Sequence, residues 1–233
     1  MLYDISWCYD EFKQIGKDYG SAEEVDVYDS SHADFRDIRA EAESVLDRLE
    51  LQPEDVVIDF GAGTGTFAIA AANRCAEVYA IDVSRTMLDH AREKAVEAGA
   101  ANITFVHRGF LTYEHAGPPA AAIATTFALH HLPDFWKGIA LQRLHAMLKP
   151  GGKLYLHDVV LPEQRPLEQI ASFVQEQAAA GGDFLRDDAE GHFRDEFSTY
   201  DWIMEGLLER AGFRVEAVDY RGGVMGTYWC VRR

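Results

Sequence analysis

Three glycines at alternate positions directly follow a short apolar run, and this junction limits the possible folds more than any other part of the chain. The run covers residues 56–60, and the glycines are Gly61, Gly63 and Gly65. An apolar run bounded by turn residues predicts a buried parallel strand. Glycine has no Cβ, so the backbone can turn sharply there and come close to a ligand. Since residues 67–72 predict a helix of small residues, the junction predicts the strand, turn and helix that bind ligands in open α/β sheets.

The spacing of the glycines excludes two common nucleotide-binding motifs. A dinucleotide fingerprint needs G-x-G-x-x-G, but here the third glycine position falls on Thr66. A phosphate-binding loop needs G-K-[ST], and none follows. The sequence D-F-G-A-G-T-G over residues 59–65 instead resembles the first motif of the class I S-adenosylmethionine-dependent methyltransferases. The resemblance implies S-adenosylmethionine as the cofactor.

An acid ends the second predicted strand, which covers residues 77–83. There Asp82 is placed to accept hydrogen bonds from both hydroxyls of a ribose. In the methyltransferases that it resembles, the acid at this position is the ribose ligand. Alternatively, Asp82 only caps the next helix, predicted over residues 85–98, although Ser84 is better placed for that role.

The third predicted strand, residues 103–106, lacks the acid that the family usually carries just after it to hold the adenine amino group. Gly109 stands near that place. We expect backbone groups of Gly109 and Phe110 to contact the edge of the adenine ring, and Phe110 or Leu111 to pack on its face. The cofactor-binding residues that the resemblance implies are Asp59, Gly61, Ala62, Gly63, Gly65, Asp82, Val83, Met87, Gly109, Phe110 and Thr126.

Later features agree with the same family. The turn L-K-P-G-G-K-L at residues 148–154 resembles the family's turn into its fifth strand, and residues 213–220 and 224–231 alternate as a hairpin. The resemblance covers roughly residues 50–160 and 198–231. It implies a single α/β domain over residues 1–233, with a Rossmann-like doubly wound sheet of seven strands in the order 3-2-1-4-5-7-6.

Two segments lie outside this alternation of strands and helices. Residues 1–50 are aromatic and acidic and predict an N-terminal cap, with a helix over residues 33–51 and with Tyr19 or Tyr28 as candidate pocket residues. Residues 161–197 predict a substrate lid: a helix over 164–180 stops at Gly181-Gly182, and a charged stretch follows. A further helix is expected to restart at residues 197–202, with Ser198 as its cap and Phe197 packing on Trp202.

The net charge of the chain indicates which partners are not expected to bind it. The chain of 233 residues has 22 Lys and Arg against 39 Asp and Glu, a formal net charge of −17. Such a surface repels phosphate groups, so nucleic acid and anionic membranes are not expected as partners, although acidity can also serve solubility alone. Three scattered cysteines predict no disulfide framework. With no signal-peptide pattern at its start and no apolar run of ~20 residues, the chain is expected to be soluble and cytoplasmic.

Two adjacent histidines are the candidate catalytic residues. His130 and His131 follow the fourth predicted strand, residues 121–127, and His157-Asp158 ends the fifth. An imidazole–carboxylate pair across the two strand ends would deprotonate a hydroxyl or ammonium nucleophile. The alternative is that one histidine only braces the loop, as a similar His-x-x-Asp turn does in the proteins that the chain resembles. The spacing matches no specific metal-ligand pattern, so no metal site is predicted.

The resemblance thus implies an enzyme that transfers a methyl group from S-adenosylmethionine by direct displacement, and the acidic, lidded and aromatic character of the chain favours a small molecule as the acceptor. This chemistry chiefly needs alignment and exclusion of water. Two alternatives stay open from the sequence. One is a protein that binds the cofactor without catalysis, because the acid near Gly109 is missing. The other is a nicotinamide-dependent oxidoreductase, against which Thr66 and the terminal hairpin count.

Overall fold

The computed structural model describes residues 5–13, 15 and 37–233. Eight strands and six helices lie in the described residues, together with a 3-10 turn at Leu129–His131. The strands are β1 (Val56–Phe60), β2 (Glu77–Asp82), β3 (Ile103–His107), β4 (Ala120–Thr126), β5 (Leu148–Leu161), β6 (Thr199–Tyr200), β7 (Phe213–Arg221) and β8 (Met225–Arg232). The helices are α1 (Ile38–Leu49), α2 (Thr66–Ala72), α3 (Arg85–Glu97), α4 (Asp134–Met147), α5 (Pro166–Asp195) and α6 (Asp201–Arg210).

The strands form one sheet in the order β3-β2-β1-β4-β5-β8-β7, and the short β6 pairs with the end of β5. The first five strands, β1 through β5, pair with one another in parallel, whereas β8 runs antiparallel to both β5 and β7. Apart from β6, this is the predicted doubly wound sheet with a terminal hairpin. The predicted fold class and strand order are therefore confirmed.

The central strand β1 explains why helices cover both faces of the sheet. All five of its residues are buried, as expected for a strand with a packed layer on each side. Side chains alternate along a strand, so Val57 packs with Val45 and Leu46 of α1, while Ile58 packs in the opposite cluster with Leu141 and Leu144 of α4. No helix within residues 37–233 has both the length and the apolar character that a membrane crossing requires.

The prediction that a helix restarts at residues 197–202 is wrong at its start. Thr199–Tyr200 instead pairs with Val160 and Leu161 of β5, and α6 begins at Asp201 without a side-chain cap. Ser198 hydrogen bonds the ring of His192 (2.7 Å), so its hydroxyl is used in a tertiary contact. At this segment, pairing with a strand nearly forty residues away replaces the helix start that the local capping pattern predicts.

Helix α5 extends beyond the predicted stop. It continues to Asp195 and is kinked at Gly181 and Gly182, where the backbone angles are not helical. The two glycines therefore interrupt the helix where the stop was predicted, and the charged stretch that follows them forms a second helical segment. In the N-terminal segment, the predicted helix forms as α1 with the expected buried residues Ala42, Val45, Leu46 and Leu49. Residues 33–36 of that prediction, and the candidate pocket residues Tyr19 and Tyr28, lie outside the described residues.

Candidate cofactor and substrate site

The three glycines after β1 serve two different purposes. All three have positive φ, which glycine adopts without strain. A Cβ on Gly61 would overlap that of Ala128, and one on Gly65 would come within 2.9 Å of the Cβ of Ala91 on α3. A Cβ on Gly63 would meet nothing within 4 Å. Gly61 and Gly65 thus permit close packing inside the protein, whereas Gly63 is the glycine that leaves open space for a ligand.

Asp82, at the end of β2, is held beside this turn by two backbone hydrogen bonds. Gly63 N–H donates to its Oδ2 (2.8 Å), and Ser84 N–H donates to its Oδ1 (2.7 Å). Each carboxylate oxygen therefore keeps a lone pair for a further donor. Ser84 itself accepts a hydrogen bond from Met87 N–H and caps α3, as predicted. Asp82 is thus not needed as the helix cap, and its carboxylate is available to a ligand.

A second buried acid lies behind the first. Burial and the nearby charge of Asp82 raise the pKa of Asp59 to about 7. Burial also raises the pKa of Asp82, although the hydrogen bonds from Ser84 and Gly63 oppose that rise. Two carboxylates under one glycine turn therefore compete for ionisation, and the charge of Asp82 is favoured because backbone donors hold it.

A cavity of about 740 Å³ opens above the turn, at the carboxyl ends of the parallel strands. Most of the predicted cofactor residues line it: Gly61, Gly63, Asp82, Val83, Met87, Gly109, Phe110 and Thr126. The other predicted cofactor residues, Asp59, Ala62 and Gly65, are all described and lie outside the cavity wall. The wall also includes side chains from both halves of α5. Sequence reasoning therefore identified the cavity residues beside the glycine turn, whereas the residues of the opposite cavity wall are known only from the tertiary structure.

At the end of the cavity near Gly109, an acid arrives from the N-terminal segment. Glu11 accepts hydrogen bonds from the backbone N–H groups of Leu111 (2.9 Å) and Thr112 (2.8 Å) and from the Thr112 hydroxyl (2.6 Å). Burial raises its pKa, while these donors oppose the rise. Sequence reasoning missed Glu11, because nothing in its local pattern distinguishes it from other acids of that segment.

Of the two side chains predicted to pack on the adenine face, only one lines the cavity, and the contact itself stays a prediction. Phe110 lines the cavity and stacks on Phe60, with ring centroids 5.1 Å apart. Leu111 is fully buried in the core, so it does not offer a face to a ligand. Gly109 N–H already donates to the Thr112 hydroxyl (3.0 Å). Glu11 and Phe110 are thus the groups that this end of the cavity presents.

The predicted imidazole–carboxylate pair across two strand ends is confirmed for His130. Its Nδ1 donates to Oδ1 of Asp158 (2.5 Å), and its backbone N–H donates to Oδ2 (3.1 Å). Burial opposes the charged ring, but Asp158 and Glu196 outweigh it and raise the pKa of His130 to about 9. Burial and the charge of His130 lower the pKa of its neighbour His131 to about 4. At neutral pH, these shifts favour a charged ring for His130 and a neutral ring for His131.

Two further residues of this cluster were not identified from the sequence. His192 and Glu196 lie four residues apart at the end of α5, and both line the cavity with His130 and His131. His192 Nδ1 lies 2.5 Å from Glu196 Oε2, and His130 Nε2 lies 3.2 Å from the same oxygen. The i, i+4 spacing of a histidine and an acid was the one local signal that could have found them.

The chain after α5 is fixed to the loop that carries the histidines. Phe197 N–H donates to the carbonyl oxygen of His130 (3.0 Å), and Lys137 of α4 donates to the carbonyl of Phe197 and to Asp134. Lys137 is only 1% exposed, and burial lowers its pKa. These buried polar contacts therefore attach the residues that follow α5 to the loop of His130.

Comparisons with known proteins agree with this geometry. A family described as a methyltransferase domain matches residues 57–152. An uncharacterized methyltransferase, GK2543, from Geobacillus kaustophilus (strain HTA426) is 30% identical over 204 residues, which are 88% of this chain and 87% of that protein. A similar protein from Geobacillus thermodenitrificans (strain NG80-2) is 30% identical over 88% of both chains.

Solved structures share the fold at low sequence identity. An S-adenosylmethionine-dependent methyltransferase from Aquifex aeolicus superposes with a TM-score of 0.63 at 21% identity, over 91% of this chain and 99% of that one. A magnesium protoporphyrin IX methyltransferase from Synechocystis PCC 6803 with bound S-adenosylmethionine gives 0.65 at 17% identity, over 98% of this chain and 100% of that one.

Proposed function

The chain belongs to the class I S-adenosylmethionine-dependent methyltransferases, and from this premise we propose that it methylates a small molecule bound in the same cavity as the cofactor. The observation that carries the proposal is one continuous cavity that runs from Gly63 and Asp82 to His131 and α5. Its volume of about 740 Å³ lies within the ~300–1,000 Å³ of small-molecule sites.

Gly63 and Asp82 would hold the cofactor. The open space at Gly63 admits a ligand against the backbone, and the Asp82 carboxylate can accept hydrogen bonds from ribose hydroxyls in addition to those from Gly63 and Ser84. S-adenosylmethionine supplies a methyl carbon that the positive charge of its sulfonium already activates. The remaining task of the protein is to orient the acceptor and to exclude water.

Helix α5 would form the acceptor side. Phe173, Phe184 and Phe193 contribute apolar surface to the cavity, and Asp187 and Asp188 contribute acidic groups. An aromatic wall with a few polar groups is typical of sites that orient a small organic molecule. The acidic residues favour a neutral or cationic acceptor over a phosphorylated one.

Of the two candidate catalytic histidines, His131 is the one that we place against the acceptor. It lines the cavity, and its lowered pKa keeps the ring neutral at neutral pH. A neutral imidazole can accept a hydrogen bond from a hydroxyl or ammonium group. His130 binds carboxylates through both ring nitrogens, so its role is to brace the loop. His130 is therefore a positioning residue in this proposal.

Turnover tests the proposal. The protein is incubated with S-adenosylmethionine and a panel of neutral and cationic metabolites, and formation of S-adenosylhomocysteine is measured. The mass of any compound that copurifies with the protein guides the choice of panel. Once an acceptor is found, His131→Asn is expected to keep the cofactor affinity and to lose turnover by ~10²–10⁴-fold.

His115→Asn is the matched control, because His115 packs on Tyr79 of β2 and does not line the cavity. This variant is expected to turn over like the wild type. Tight cofactor binding without turnover of any compound in a broad panel would instead favour a protein that binds the cofactor without catalysis. Full activity of His131→Asn would remove His131 from the acceptor site.

A further inference from the structure

Three side chains that are able to ligate one metal ion meet where α5 closes the cavity. His130 and His192 each direct one ring nitrogen at the same oxygen of Glu196, and the three ligand atoms lie within 4.8 Å of one another. We propose that His130, His192 and Glu196 bind a divalent transition-metal ion, with zinc as the reference ion. The proposal goes beyond methyl transfer and does not depend on it.

Two of the three distances between the ligand atoms are close to those around a shared ion, and the third is at most 4.8 Å. Two ligands at ~2.0–2.1 Å from a tetrahedral zinc ion lie about 3.3 Å apart. The separation of 3.2 Å between His130 Nε2 and Glu196 Oε2 already has this value. His192 Nδ1 and Glu196 Oε2 are 2.5 Å apart, the length of a hydrogen bond, and would separate by less than about 1 Å. The ion would then replace the proton that the two groups share.

In each histidine, the ring nitrogen that faces away from Glu196 has a hydrogen-bond partner, as is usual in metal sites. A metal-binding histidine usually directs its other ring nitrogen at a carboxylate, carbonyl or similar group, which fixes the ring and its tautomer. His130 Nδ1 donates to Asp158 (2.5 Å), and His192 Nε2 hydrogen bonds the hydroxyl of Ser198 (2.7 Å). Both rings are therefore oriented by partners behind them, with the opposite nitrogens aimed at Glu196.

The three ligands favour a first-row transition metal and leave coordination positions of the ion open to the cavity. Two imidazoles and one carboxylate suit zinc and the neighbouring first-row metals better than magnesium or calcium, which prefer oxygen ligands. All three side chains line the cavity, so coordination positions that the protein does not fill would face its interior. The carboxylates of Glu196 and Asp158 would balance the charge of a divalent ion bound there.

Zinc binding to the untagged full-length protein tests the proposal. After treatment with a chelator, zinc is titrated in competition with an indicator dye, without S-adenosylmethionine, and cobalt is added separately to record its visible absorption. We expect one ion per chain and a cobalt spectrum of low coordination number. His192→Ala and Glu196→Gln are expected to weaken zinc affinity by about 100-fold or more, and Ser198→Ala by about 10-fold.

His90→Ala, on α3, is the control and should bind zinc like the wild type. Circular dichroism checks that each variant is folded, and Ser198→Ala keeps the test valid if the removal of a ligand unfolds the protein. The proposal is overturned if the wild type binds no zinc, or if the folded His192, Glu196 and Ser198 variants bind it as tightly as the His90 variant. Because cofactor and acceptor are absent, this outcome leaves the proposed methyl transfer untouched.

Discussion

Asp82 is the single residue on which the cofactor side of the cavity depends most. Its two oxygens already accept hydrogen bonds from Gly63 and Ser84, which orient the carboxylate. The hydroxyls of a bound ribose would donate further hydrogen bonds to it. A hydrogen bond to a charged group contributes about 1.5–3 kcal/mol. Asp82→Ala is therefore expected to weaken S-adenosylmethionine binding by about tenfold or more, as measured by calorimetry.

Asp89→Ala is the matched control, because Asp89 is exposed on α3 and pairs with Arg92. It should leave the affinity unchanged. Gly63→Val adds a second arm, since its side chain would fill the space that the glycine leaves open. A folded Asp82→Ala or Gly63→Val protein that binds the cofactor with wild-type affinity would show that the ligand lies elsewhere.

Asp59 makes stability depend on pH in a defined direction. Burial and the charge of Asp82 raise its pKa from 3.8 to about 7, so the folded protein holds a proton that the unfolded chain has released. The contribution of this group to the free energy of unfolding should therefore decrease as pH rises from about 4 to about 7. Asp59→Asn, which carries no charge, is expected to be more stable relative to wild type at about pH 8 than at about pH 5.

Urea unfolding at the two pH values measures this difference, which should amount to about 1–4 kcal/mol. Asp219→Asn is the control, because Asp219 is on the surface of β7 and pairs with Arg221. An equal effect of Asp59→Asn at both pH values would show that Asp59 does not titrate between them.

Among the helices of the described residues, α5 is the one that is least fixed by packing. Ala189 is the single buried residue of its thirty, and Gly182 adopts φ 65 and ψ −148 at the kink. Few buried contacts imply a low free energy of local opening. We therefore predict that residues 161–197 act as a lid, and that amide hydrogen exchange there slows when cofactor and acceptor bind.

Gly182→Ala tests the kink, because a Cβ is strained at this positive φ. It should raise the exchange of residues 183–196 and weaken the effect of ligand on them. Gly222→Ala is the matched control, because it adds a Cβ at a similar positive φ (57) with nothing within 4 Å, in the turn between β7 and β8 and outside the cavity wall. Ligand protection restricted to residues 59–83 in the wild type would contradict the lid.

At the scale of the whole molecule, the formal charge of −17 governs which partners approach. Binding to nucleic acid relies on lysine and arginine that neutralise phosphates, and this chain has 22 such residues against 39 acids. We predict no gel shift of transfer RNA at micromolar protein and physiological salt. A shift under these conditions, lost as salt is raised, would contradict the prediction.

The sequence by itself determined the features that depend on neighbours within a few residues. The glycine turn, the acid at the end of β2 and the Ser84 cap follow from patterns of spacing, alternation and turn chemistry, whereas the order of the strands was implied by the resemblance to the methyltransferase family. These patterns act through local backbone preferences and through the burial of one face of each element. Local information was therefore enough for these individual features of the glycine-turn side of the cavity, and the family resemblance supplied the arrangement of the whole sheet.

Only the tertiary structure decided which distant residues complete the site. Glu11 contacts residues about one hundred positions away, and Glu196 reaches His130 from the far end of a kinked helix. Ser198, which has the pattern of a helix cap, binds His192 instead. Such contacts depend on the path of the whole chain and on the need of buried polar groups for partners, which no local pattern encodes.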